Sequence, residues 1–270
     1  MSGERFTFVQ SQFDLICSDL QALPIAYAVA ASAAVPMLLS PVSMRNHAGT
    51  CGYEPHPWLE EALTDRRERP RQYRAARNFV QLHDPDKKFL HLVDGAVSDN
   101  LGLRAGIDLI EMAGSWERTG ALMEAGRHRD KFVVIIVNAE IDPDPSIDLS
   151  SAAPGFTNLM KAVSGGQIRR YNFETLLLTQ ELLGRLGREA RSKGLPMQTF
   201  LLDVSFENFP DGRDRRYFKG IPTSFKLSDR QVDELIWAGR ELLLDSVEYK
   251  RLVKSMGGKP AEKTPRPLGH

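Results

Sequence analysis

With 270 residues, 42% hydrophobic and 26% charged, the chain has apolar material for one large globular domain or two small ones. Its 35 Lys and Arg balance its 35 Asp and Glu, so no general electrostatic pull toward nucleic acid or an anionic membrane follows. Ile25 to Leu39 covers only about 15 residues and is broken by Pro36, too short to cross a bilayer, and Met1 to Arg5 lead into Phe6 without the apolar core of a signal peptide.

Taken in order, Arg5 to Gln10 alternates loosely and reads as a strand, and Phe13, Ile16, Cys17 and Leu20 fall at helical spacing. Pro24 to Pro36 brackets a helix made mostly of alanine, since Pro24 suits a first turn and Pro36 ends the run. Ala26, Ala30, Ala33 and Ala34 fall near one face, where tiny side chains allow close packing against a neighbour. Leu38 to Met44 reads as a short strand and Asn46 to His56 as loop. The two cysteines, Cys17 and Cys51, lack metal-ligand spacing and are too few for a disulfide framework.

Trp58 to Phe79 reads as helix interrupted at Pro70. It carries Arg66, Arg67, Arg69, Arg71, Arg74 and Arg77, interleaved with or preceded by Glu60, Glu61, Asp65 and Glu68. A run of mixed sign is ordinarily a solvated face, although arginines at this density can also meet a phosphate surface.

The most informative stretch is Phe89 to Leu103. Phe89 to Val93 is a brief apolar strand ending in the turn signal Asp94-Gly95. The carboxylate of Asp94 thus falls just past a strand's carboxyl end, where chemistry collects in open α/β sheets. It can act there, or it can merely cap the turn that follows.

Leu101 to Met112 reads as a helix ending near Gly114. Lys131 to Asn138 is a continuous β-branched run of the kind buried in parallel sheets. It leads to Glu140, Asp142, Asp144 and Asp148, but the ligand order of a calcium loop is absent and Pro143 and Pro145 favour plain loop. Neither a metal nor a cofactor is expected. Leu159 to Arg191 reads as two helices. Within them Ala162-Val163-Ser164-Gly165-Gly166 faintly resembles a nucleophile elbow, but it lacks the preceding strand and the first glycine, so Ser164 is rejected as a nucleophile. Met197 to Val204 reads as strand and Ser228 to Leu244 as a capped amphipathic helix. From Gly257 the composition predicts a disordered tail, residues 257–270, behind a single domain at 1–256.

Several of these pieces, in order, resemble the patatin-like phospholipase family: Ser18-Asp19-Leu20, the run from Pro24 through Ala34 to Pro36, Pro41-Val42, then Asp94-Gly95-Ala96 and Asn100. That family typically shows a Pro-x-x-x-Ala-x-x-Ala-Ser-x-Ala-x-Pro helix, a Pro-Val piece, and an Asp-Gly-Gly or Asp-Gly-Ala turn commonly followed by an Asn. The resemblance covers about residues 6 to 105 well, and is less telling beyond, including Ile221 to Phe225.

The resemblance implies a three-layer α/β/α sandwich, incomplete at its N-terminal side, and hydrolysis of lipid acyl esters by a Ser-Asp dyad without histidine. Asp94 matches the dyad aspartate, accepting the serine proton directly. His91, on the preceding strand, is not expected to take part. The implied partners are a lipid or acyl-ester substrate, a transient membrane surface, and the missing N-terminal segment of the same domain; no nucleic acid is expected. The family's Gly-rich oxyanion loop and Gly-x-Ser-x-Gly elbow are absent from the chain. The alternative expectation is a non-catalytic protein that keeps the fold to bind lipid or a partner.

Overall fold

The computed structural model describes residues 3–36, 39–113, 130–143, 148–149, 151, 153–224 and 226–267. The architecture is mixed α/β, 52% helix and 10% strand, with the strands in two small sheets. Contacts gather into two compact units, Met1–Gly114 and Ser115–His270, a division that no linker in the sequence announces.

In the first unit, residues 3–9 form no strand, against the expectation of one over Arg5 to Gln10, and Val9 N turns back to Thr7 O at 2.9 Å. The Thr7 amide is taken instead by the side chain of Gln12, at 2.6 Å, in the first turn of α1 (Gln10–Leu15). α1 ends as Cys17 adopts a φ of 51°, with Cys17 N donating to Asp14 O and Ser18 N to Phe13 O. A left-handed helix end of this kind usually falls to glycine. Here it aims Cys17 at Cys51, and the two form a disulfide with Cα atoms 5.4 Å apart.

α2 (Ile25–Ser32) starts after Pro24, as expected, and is followed by β1 (Val42–Arg45), α3 (Trp58–Thr64) and α4 (Pro70–Leu82). Pro70 opens α4 because a first-turn position needs no amide donor. β2 (Phe89–Leu92) pairs antiparallel with β1, setting Val42 opposite Leu92 and Ser43 opposite His91. Side chains alternate across this ribbon: Met44 joins Phe13, Leu15, Ile16 and Leu82 in the core with Leu90 and Leu92 against them, while Ser43, Arg45, Phe89 and His91 face out. α5 (Arg104–Ala113) closes the unit, and its Asp108 accepts Arg5 at 3.2 Å and Arg71 at 2.7 Å. Arg69 and Arg74 pair with Glu61 and Glu4, so much of the arginine run is neutralised within its own unit.

The second unit is a βαβ element with helices added. β3 (Lys131–Asn138) pairs parallel with β4 (Gln198–Ser205) from Lys131 opposite Gln198 to Asn138 opposite Ser205. The connection between them contains α6 (Phe156–Ser192), one unbroken helix of 37 residues, about 55 Å long at 1.5 Å per residue. Two helices were expected over Leu159 to Arg191, but the run continues unbroken through Gly165-Gly166. Glycine costs a helix only about 1 kcal/mol each, and no proline supports a break. The C-terminal part of α6 buries Asn172, Thr175, Thr179, Leu182, Leu183, Leu186 and Ala190, a stripe at helical spacing. Gly187 lets this stripe approach the sheet, since a Cβ there would lie 3.2 Å from Thr199 Oγ1.

β4 is covered: Phe200, Leu202 and Val204 are buried under α6, α8 (Asp229–Asp245) and α9 (Val247–Ser255). β3 is not. Among the described residues it has a strand on one edge only, and Val133, Ile135 and Val137 face outward, with Val137 73% exposed. The sequence reading of β3 as a buried strand therefore fails on that face. α7 (Gly212–Lys219) brings Phe218 into a stack with Phe206 and Phe209, and α8 adds Ala238, Leu242 and Trp237. Ser228 and Gln231 form a reciprocal capping box at the start of α8, as its sequence suggests.

The tail departs from expectation. Up to Pro267 it lies back along α8, where Trp237 Nε1 donates to Thr264 O at 3.1 Å and Arg240 to Glu262 O at 3.2 Å. Lys263 pairs with Asp245 at 2.7 Å and with Glu241. Composition alone could not register these long-range partners.

Candidate functional site

Asp94 follows β2 after one residue, Val93, and precedes a single 3₁₀ turn, Gly95–Val97. Its backbone N–H donates to Ala34 O at 2.9 Å, joining the strand's end to the residues just past α2. Its Oδ1 accepts from Ala96 N at 2.7 Å, so the turn-capping role is real. Its second oxygen has no protein partner among the described residues and is left to accept from something else.

The alanine run does flank this turn, but of the face named from spacing only Ala34 is buried, joined by Ala31. Ala31 and Ala34 are each 2% exposed, whereas Ala30 and Ala33 lie outward. Ser32 is close as well: a Cβ on Gly95 would sit 4.0 Å from Ser32 Oγ. Glycine at 95 keeps that approach open. α2 also reaches the sheet through Tyr27, whose hydroxyl donates to Ser43 O at 2.7 Å.

His91 turns away from the Asp94 role. Its Nδ1 lies 2.8 Å from Ser43 Oγ, on the exposed face of the ribbon, where the register places the two side by side. A hydroxyl and an imidazole at that distance have the geometry of a nucleophile and base. Sequence reading missed the pair because the residues are 48 apart and only the β1–β2 register joins them. Beside β2, a cavity of about 170 Å³ is lined by apolar Phe6, Leu82, Phe89 and Leu92 together with polar Asn78 and Lys87. Its lining ends two residues short of Asp94.

Asp99 completes the turn. Its carboxylate accepts Leu103 N at 3.1 Å and Arg104 N at 2.9 Å, capping α5. Burial pushes its pKa above the ordinary value, and the Arg104 amide and the charge of Arg5 only partly offset that. In the second unit, burial likewise raises Asp203 on β4, whose Oδ1 is enclosed without a hydrogen-bond partner.

Other candidates resolve plainly. Ser164 lies within α6, its hydroxyl donating to Met160 O at 2.8 Å in its own helix, which is no strand-to-helix elbow. Glu140 accepts from Asn172 at 2.8 Å and Asp142 pairs with Lys219 at 2.7 Å, while Asp144 lies outside the described residues. Among the described residues no group of three or more His, Cys, Asp or Glu converges as a metal site. No helix there is long and apolar enough to cross a membrane. Comparison with protein-family models, curated proteins and solved structures finds no match.

Proposed function

We propose that the chain is the C-terminal portion of a patatin-like acyl-ester hydrolase, with Asp94 as the base of a Ser-Asp dyad whose serine lies outside these 270 residues. On this reading the fold class is a three-layer α/β/α sandwich. The observation that carries it is the Asp94 turn. Asp94, past a strand end, is bonded through its own amide to Ala34 O, has one carboxylate oxygen without a protein partner among the described residues, and lies beside a helix of small residues. Oδ1 is held by the turn, which fixes the side chain's rotamer, and Oδ2 is available to take the proton of an incoming serine hydroxyl as it attacks an ester carbonyl. Donors for the oxyanion would come with the serine segment. The substrate class is a lipid acyl ester, met at a membrane surface.

A second reading has an observation in its favour. The 2.7 Å bond from Ala96 N is all that a purely structural Asp94 requires, which suits a non-catalytic protein that binds lipid or a partner. The two readings separate on the nucleophile. The 270-residue chain should not be labelled by a serine-directed fluorophosphonate, whereas a form carrying a Gly-x-Ser-x-Gly elbow ahead of residue 1 should be labelled there. Stoichiometric labelling of the chain itself, at Ser43 or Ser164, would overturn the proposal. Failure to label the elbow-bearing form would favour the non-catalytic reading.

A further inference from the structure

Arg266 is held in the second unit by more groups than a tail residue needs. Its guanidinium lies 5.2 Å from the ring centre of Trp237, 5.3 Å from Phe218 and 5.4 Å from Tyr217. Its nitrogens reach Asp214 Oδ1 at 2.7 Å and Glu234 Oε1 at 3.5 Å. Three aromatic faces and two carboxylates around one planar cation form a cage matched to guanidinium, which combines ring stacking with forked donors as an ammonium cannot. The floor is built in advance: Glu234 is 2% exposed and is also held by the Tyr217 hydroxyl and, at 3.6 Å, by Arg230.

The rest of the strap is gripped in the manner of an extended peptide. Trp237 and Arg240, one turn apart on α8, donate to the carbonyls of Thr264 and Glu262, two residues apart in the strap. Between them Lys263 reaches Asp245 and Glu241. α8 thus offers side-chain donors to the strap's carbonyls and an acidic site for a lysine, and together with α7 a cage for an arginine three residues later. Pro265 and Pro267 flank that arginine and limit the entropy lost on holding it.

We infer that this face of α7 and α8 is a recognition site for an extended peptide bearing Lys-x-x-Arg, with the chain's own residues 262–267 as its resident occupant. A partner of that chemistry binds when the strap leaves. The cage lies entirely within the second unit and does not depend on the role of Asp94.

The test uses the full-length chain as wild type and as Arg266→Ala, with the acetylated, amidated peptide Glu-Lys-Thr-Pro-Arg-Pro as probe and tryptophan fluorescence as readout. The Arg266→Ala chain should bind the peptide saturably, at least about tenfold more tightly than wild type does. Replacing the peptide's arginine by lysine, or adding Asp214→Asn to the protein, should weaken binding about tenfold or more, the scale of one lost charge-assisted contact. Circular dichroism confirms that the variant is folded; if Arg266→Ala is not, Arg266→Lys takes its place with the same expectations. Equal binding by wild type and variant, indifference to the peptide's arginine, or no binding to a folded variant would overturn the inference and leave the strap a structural clasp.

Discussion

The amide of Asp94 donates to the carbonyl of Ala34 across 2.9 Å, so the turn after β2 and the segment after α2 share a backbone bond that no side chain can replace. Ala34 is nearly inaccessible at that junction, while Ala30, on the same helix run, faces outward. Ala34→Leu should therefore overpack the junction and cost about 1–3 kcal/mol, and Ala30→Leu should stay within about 0.5 kcal/mol of wild type. Urea unfolding of both variants checks this, and equal effects at the two positions would misplace the helix.

The Cys17–Cys51 bond closes a separation of 34 residues around the α1 end and the β1 strand. On the chain-entropy account a loop of that size contributes about 4 kcal/mol, so a Cys17→Ser, Cys51→Ser double variant should melt well below the oxidised wild type. Reduced wild type should match the double variant. A melting temperature indifferent to reductant would show that the clip adds nothing.

Many element boundaries in both units are legible from the sequence, and the reasons are local. The β-branched run Phe132 to Val137 is a strand, Ser228 and Gln231 cap α8, and Pro70 starts α4, each because a neighbour within a few residues decides the matter. At the candidate site, Asp94 and its turn are legible for the same reason. What sequence reading misses is set by distant partners: His91 with Ser43, Cys17 with Cys51, and Arg266 with Asp214 and Trp237. α6 is missed differently: its run carries Gly165-Gly166 but no proline, and nothing local fixes whether it breaks.

Glu234 should give the second unit an acid-sensitive component. The Tyr217 hydroxyl, followed by the charges of Arg266 and Arg230, holds its pKa below the ordinary 4.5 although burial opposes them. A carboxyl depressed in the folded state adds stability above its unfolded value and loses it as pH falls through the folded value. The melting-temperature gap between wild type and Glu234→Gln should thus be full at neutral pH and narrow below about 4.5. A gap that stays constant with pH would mean that Glu234 is not ionised in the folded protein.

β3 presents Val133, Ile135 and Val137 outward beside an edge without a strand partner among the described residues. An apolar face next to an open edge promotes association. Ile135 is 56% exposed, so Ile135→Lys should lower light scattering of concentrated protein without disturbing the unit's circular dichroism. Loss of folded signal in that variant would show the face to be packed.

The central claim is that Asp94 is a base and not only a cap, and Asp94→Asn separates the two roles. The amide oxygen of asparagine can still accept from Ala96 N, so the turn and the melting temperature should be preserved, but it cannot take a proton from serine. The measurement is hydrolysis of a p-nitrophenyl acyl ester by the elbow-bearing form, with and without Asp94→Asn. The account predicts that the substitution lowers the rate by about 10²–10⁴ with stability unchanged. A rate within a few-fold of the parent, in a folded variant, would contradict it and reduce Asp94 to its hydrogen bond with Ala96.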